Sequence, residues 1–445
     1  MALRAAASPA PYNGAMSSHP SPLIITADFV LPMAAPGIVK GAIAWEHNRI
    51  MAMGPADDVL PRYSGAIVRH YPHHVILPAL VNTHTHLELS YLTNRIAPPG
   101  DFGQWAAACM RAAPPPEQLI SIVSKSAQWG ATMCQTSGVL AVGDVSRHYT
   151  VTRPILERAG LQGVGFAEVM AIGGRRSSLR EQLQRLCAPA DADLINIKSG
   201  VSPHAPYTVE GPALRDTVEM ARARHMPICM HVAELAEESE FLANISGMLA
   251  GPWRPDHALL DAAIPRGAHG PIQWAKQFGL LDAGVPVVLA HVNYATDADL
   301  DLLAAAPDVS VAYCPRTRSY FGHDDHSRHR WRDMLARGIN VAIGTDSVAS
   351  NPDLSVLREL RHIMKLFPES DPQLLLKMAT VNGARALGLP SFAGTLQIGG
   401  PAEMAVFALP ERPFRSVASA CRALIRRAPP PDTVYLTRPV TPSAH

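Results

Sequence analysis

The stretch LVNTHTHLEL, residues 80–89, places His84 and His86 two positions apart at the end of an apolar run. Side chains at i and i+2 of a β-strand leave the same face, so the two imidazoles converge on one point. Such a pair is either hydrogen-bonded polar structure or half of a metal site, and the second reading needs further ligands elsewhere. Candidates stand at the ends of other apolar runs: Asp144, Glu168, His204, His231 with Glu234, His291, Cys314 and Asp346. Three imidazoles and one carboxylate suit a catalytic Zn2+ or Fe2+ and leave a position open for water. His84, His86, His231 and Asp346 are assigned to that single divalent ion. Taken one at a time these signals are weak, since a lone buried His or Asp is more often a satisfied core group.

Residues so far apart meet only if the fold gathers them. Eight β-like runs alternate with helix-length stretches: ILPALVNTHTH, SGVLAVGDV, LQGVGFAEV, DLINIKSGVSPHA, PICMHVAE, VPVVLAHVN, DVSVAYCP and INVAIGTDS. Continuous Val/Ile/Leu runs linked through helices mark a parallel sheet buried on both faces, and eight units over roughly 300 residues point to a (β/α)8 barrel. In such a barrel the C-terminal strand ends share one mouth, which is where the candidates lie. No G-x-G-x-x-G opens a helix after the first run, against a dinucleotide-binding sheet. Short alternating segments at 21–78 and 393–445 predict a small β-sandwich built from both chain ends around a catalytic barrel at 79–392, with a disordered tail at 1–20. Thr296 reads as a helix N-cap, and Leu354, Leu357, Leu360, Ile363, Met364 and Phe367 as one packed helical face.

The 445 residues are 47% hydrophobic and 17% charged, enough for a large core. Lysine and arginine total 39 against 38 acids, so no field of one sign recruits nucleic acid or a membrane surface, and a small molecule is the expected partner. The six cysteines form no C-x-x-C pair, which suits reduced thiols in the cytoplasm. Pro, Asn and Gly interrupt the start of the chain too often for a signal core, and no run reaches transmembrane length. P-C-x-x-C, which marks one unrelated zinc-enzyme fold, is absent.

THTH at 83–86, HVAE at 231–234, AHVN at 290–293 and GTDS at 344–347 resemble the four signatures of the amidohydrolase superfamily, in its order, and in particular its mononuclear metal deaminases acting on aromatic amines. The likeness covers nearly the whole chain and implies hydrolytic exchange of a ring amine for a carbonyl. The bound metal would lower the pKa of its water, Asp346 would take the proton with His291 as its partner, and Glu234 would protonate the ring nitrogen and help ammonia leave. HTHLELS, SPHAPYT, HVAELAEESEFL and CPRTRSYFG look most like the aminodeoxyfutalosine deaminases, which implies attack at C6 of an adenine nucleoside in a route to menaquinone. Glu88 and His204 match positions near the substrate in that branch; support of the metal ligands is the competing role. A homodimer is the family-based expectation.

Rival readings stay open at this point. Lys198 sits where some superfamily members carry a carboxylated lysine bridging two metals, although HxxE after the fifth run accompanies the one-metal branch. In CPRTRSYFGHDDHSRHRW, Arg316 and Arg318 clamp an anionic substrate group or form salt bridges. His323, His326 and His329 form an exposed polar lid or, with Asp324 and Asp325, hold a second metal. GTLQIGGPAEM departs from the branch at Pro401 and Glu403, and the stretch from Gly247 to Gly284 should cover the mouth. Guanine, adenosine or S-adenosylhomocysteine deamination and triazine hydrolysis use the same machinery, while a silent binding protein would have lost ligands that this chain retains.

Overall fold

In a computed structural model that describes residues 22–97, 101–186, 194–251 and 270–435, the chain opens with four strands, β1 (Leu23–Val30), β2 (Ile38–Glu46), β3 (Arg49–Pro55) and β4 (Ile67–Pro78). Then come β5 (Leu80–Thr85), β6 (Val139–Ser146), β7 (Gln162–Val169), β8 (Ile197–Pro203), β9 (Ile228–Val232), β10 (Val287–His291), β11 (Val309–Tyr313) and β12 (Asn340–Ile343). The strands β13 (Met404–Ala408) and β14 (Thr433–Tyr435) follow. The tail at 1–20 lies outside the described residues.

The strands β5 to β12 pair in sequence order, all parallel, as expected of runs buried on both faces. The ring closes between its first and last members. Thr85 bridges Asp346 in parallel, and the amides of Thr345 and Asp346 both donate to the His84 carbonyl at 3.0 Å. Beneath this seam Asn82 donates to Thr345 Oγ1 at 2.7 Å and accepts from its amide at 3.1 Å. Small inward side chains fill the barrel, among them Val81, Ala141, Cys229, Ala312 and Ala342, and Ala384, Ala386 and Leu387 from the region of the helix Val381–Ala386 join that cluster. The larger apolar cluster lies between the strands and the surrounding helices. Among the helices, Thr296 caps Asp297–Ala304 in a reciprocal box with Asp299, and the face from Leu354 to Phe367 is buried about the helix Val356–Leu366.

The chain ends meet in one six-stranded sheet of order β14-β13-β4-β1-β2-β3, antiparallel except for the β1–β4 pair. The segment 393–445 is not wholly part of it. Ser416 and Ser419 cap the helix Val417–Arg427, whose Ala420, Cys421, Leu424 and Ile425 join the core cluster around the barrel. Glu403 couples the sheet to the barrel by accepting from Gln162 at 2.5 Å. Of the stretch from Gly247 to Gly284, residues 252–269 lie outside the described part. Among the described residues no helix is long and apolar enough to cross a membrane.

Candidate active site

His231 follows regular strand geometry. Cys229 lies inside the barrel, so the side chain two residues on points the same way. His84 does not follow it. Val81 is interior and Leu80 exterior, which would send His84 outward, but the pairing of β5 with β6 slips between Asn82 and Thr85. The His84 ring ends fully buried, 4.8 Å from that of His231 and 5.0 Å from that of His86, which stands just beyond the strand. Asp346 reaches the same point from the far side of the seam, its backbone in the left-handed region at φ 57°, which Asp tolerates better than most residues.

The donor atoms converge. His86 Nε2 and His231 Nε2 are 3.3 Å apart, and Asp346 Oδ1 lies 3.6 Å from His86 Nε2 and 3.8 Å from His84 Nε2. His231 Nδ1 faces the His204 carbonyl at 2.9 Å, an atom that only accepts, so Nδ1 carries the proton and Nε2 presents its lone pair. Burial and the neighbouring imidazoles push His84 well below its ordinary pKa, and burial with His86 lowers His231, so both are neutral. His84 Nε2 is buried with no hydrogen-bond partner, a costly state that a cation relieves. Among the described residues, His84, His86 and His231 are the one group of three such side chains whose donor atoms could share a metal ion. Ser350 donates to Asp346 Oδ2 at 2.8 Å, turning Oδ1 to the imidazoles. The donor set therefore fits a divalent ion.

Beside it stands an acid. Burial, reinforced by the charges of Asp346 and Glu238, holds the Glu234 carboxyl well above the usual carboxylate range, which favours its proton-carrying form. Its Oε1 lies 3.7 Å from His291 Nε2. Val287 and Leu289 face outward, so alternation would turn His291 outward as well; positive φ at His291 (72°) and Val292 (48°) breaks it. The His291 ring thereby comes to 5.4 Å from those of His84 and His231. Left-handed backbone is rare at a β-branched residue, and strain of this kind gathers where a side chain must be aimed.

Two supports were not foreseen. The buried Glu238 accepts the amides of Ala233, Glu234 and Leu235 at 2.9, 2.7 and 3.0 Å, fixing the turn that presents Glu234. An acid four residues after Glu234 was the available signal. His329, expected in an exposed lid, is buried against Tyr313 with ring centroids 3.9 Å apart, and its Nε2 donates to the His291 carbonyl at 2.9 Å. His323 is buried too, bonded to the Tyr294 hydroxyl at 3.0 Å, whereas His326 is exposed. The three histidines are thus neither a lid nor a metal cluster.

The substrate-side candidates divide. His204 stays at the mouth, its ring 5.0 Å from that of His231 and its Nδ1 2.7 Å from Thr208 Oγ1. Glu88 is occupied instead, accepting from Ser146 Oγ and from the amides of Arg147 and His148 at 2.6, 3.1 and 3.1 Å. It organises the turn after β6. Arg316 and Arg318 do not face a ligand. Arg316 pairs with the buried Glu359 at 2.5 Å and with Asp353 at 2.9 Å, and the buried Arg318 holds Asp324 at 2.9 Å. Arg316→Met should therefore lower folding stability by about 3–5 kcal/mol, the cost of stranding a buried charge. A denaturant midpoint checks this; a higher KM at full stability would restore the anion clamp. Lys198 is exposed and bonds the Gly388 carbonyl at 2.8 Å, away from the imidazoles, which removes the bridged two-metal arrangement.

A cation-ready cluster at the C-terminal mouth of a (β/α)8 barrel, flanked by a buried acid, defines a metal-dependent hydrolase of the barrel type. The amidohydrolase family profile matches residues 75–443, and the chain belongs to that family. It is 30% identical to an aminodeoxyfutalosine deaminase of Deinococcus radiodurans over 341 residues, 72% of this chain and 77% of the relative. It is 28% identical to a 5-methylthioadenosine/S-adenosylhomocysteine deaminase of Moorella thermoacetica over 389 residues, 84% and 83% of the two chains. In fold it resembles the aminofutalosine deaminase of Helicobacter pylori, with a TM-score of 0.79 at 19% identity, covering 93% of this chain and 98% of the other.

Proposed function

We propose that this amidohydrolase deaminates the adenine base of a nucleoside, releasing ammonia and leaving a carbonyl at C6, with 6-amino-6-deoxyfutalosine as the first candidate substrate. The observation that carries the reading is the buried Glu234 carboxyl, 3.7 Å from His291 and beside the imidazole–carboxylate cluster. The names of the relatives in Deinococcus and Moorella, both deaminases of adenine nucleosides, support the substrate class.

His84, His86, His231 and Asp346 would hold the ion, Zn2+ or Fe2+. When bound, the ion supplies Lewis acidity that makes water a nucleophile at neutral pH. Asp346 Oδ1, facing the imidazoles, is placed to accept the proton from that water, and Ser350 keeps its other oxygen occupied. Glu234 delivers its proton to the ring nitrogen beside the attacked carbon, which draws charge off the ring as the new bond forms. His291, 3.7 Å from Glu234, would steady that carboxyl, and its own low proton affinity, set by burial and by His231, keeps it neutral. His204, bonded through Nδ1 to Thr208, offers Nε2 to the base or sugar.

A second reading, deamination of methylthioadenosine or S-adenosylhomocysteine, is favoured by the longer alignment to the Moorella relative. Incubating metal-replete protein with aminodeoxyfutalosine, adenosine, S-adenosylhomocysteine and guanine, with mass spectrometry and ammonia detection, decides between them. The expected result is amine-to-carbonyl exchange, fastest on aminodeoxyfutalosine. Ammonia from guanine alone would overturn the nucleoside reading.

A further inference from the structure

Asp101 caps the helix Phe102–Arg111, its carboxylate accepting the Gln104 amide at 2.7 Å. The helix is apolar, FGQWAAACMR, yet none of its residues is fully buried, so its apolar surface is only partly covered by the protein's own core. Trp105 Nε1 donates to the carbonyl of Ala349, three residues beyond Asp346, at 3.1 Å. Burial and the charge of Asp346 push the Cys109 thiol up to about 11.

Rings from three different loops meet here. Phe321, after β11, lies 5.5 Å from Phe102 and 5.2 Å from Trp105, edge to face with the latter. Phe102 lies 6.5 Å from Tyr207, which follows β8. Tyr207 stands 5.9 Å from His204, and His204 5.0 Å from the ligand His231. An unbroken file of rings thus runs from the metal cluster to the rim. Arg316 and Arg318, on the same loop as Phe321, are turned inward onto carboxylates.

We propose that Phe102, Trp105 and Phe321 form a roof that selects adenine nucleosides carrying an aromatic or bulky apolar group at the 5′ end, over those ending in a free hydroxymethyl. The inference rests on the nucleoside deaminase reading. With the base held against Glu234 and His204, the end of the substrate remote from C6 extends beneath the roof. Offset and edge-to-face ring contacts reward a planar group there, whereas a lone hydroxyl finds apolar surface and no partner.

The probes are 5′-phenylthio-5′-deoxyadenosine and adenosine, given to metal-loaded wild type, Trp105→Ala, Phe321→Ala and Trp105→Phe, with metal content measured for each protein. The ratio of kcat/KM for the arylthio nucleoside to that for adenosine should fall about tenfold in each alanine variant and largely survive in Trp105→Phe, which keeps a ring. An unchanged ratio in both alanine variants overturns the roof. If wild type turns over neither nucleoside, calorimetric titration of the arylthio nucleoside decides the roof, while the deaminase reading stands or falls separately on aminodeoxyfutalosine and S-adenosylhomocysteine. Binding about tenfold weaker in Trp105→Ala supports it; equal binding overturns it.

Discussion

Replacing Glu234 by glutamine lowers kcat by roughly a hundredfold to ten-thousandfold and leaves the metal content at the wild-type level. Glutamine has nearly the same shape and keeps a donor, so the bond distances around it, including the 3.7 Å approach to His291, need not change. What it lacks is a proton that it can release. The wild-type carboxyl is buried and raised in pKa by that burial and by Asp346 and Glu238, which favours the form that carries a proton to give. A proton transfer that depends on this store is lost in the amide, while substrate still docks, so KM moves little. Glu238 holds the surrounding turn through three amides in both proteins. Steady-state kinetics with elemental analysis check the expectation; near wild-type turnover removes Glu234 from the chemistry.

Dialysis against a chelator abolishes turnover by roughly a thousandfold or more, and returning Zn2+ or Fe2+ restores it. Without an ion the cluster has little chemistry of its own, because burial keeps His84 and His231 neutral and His84 Nε2 has no partner. His231→Ala removes a donor ring that the His204 carbonyl holds in its tautomer and orientation. That variant should fail to regain activity at ion concentrations that rescue wild type. Full activity in demonstrably metal-free protein would end the hydrolytic scheme.

The barrel could be read from the sequence because eight doubly buried runs leave a simple hydrophobic signature, and the four motifs at their ends led to the family. The geometry of the cluster was less legible. Counting by twos explains His231 but not His84 or His291, which arrive through a slipped register and two left-handed residues that leave no trace in composition. The arginines stayed open between clamp and salt bridge in the sequence because partners can lie far along the chain: Glu359, which pairs with Arg316, sits within a helix whose apolar spacing speaks only of packing. His329 sits among charged residues in sequence and among aromatic ones in space. The helix Val417–Arg427 carried a legible cap, Ser416 with Ser419, yet it was absorbed into a stretch read as strands.

The cluster draws its donors from both sides of the seam where β5 meets β12, positions 261 residues apart in the case of Thr85 and Asp346. An ion held there acts as a removable cross-link at the one joint of the ring that sequence neighbours do not hold together. Tying such distant points restricts the unfolded chain far more than the folded one, and any species that binds only the closed form adds its affinity to the stability of the whole. Adding the ion should therefore raise thermal tolerance and catalytic competence together.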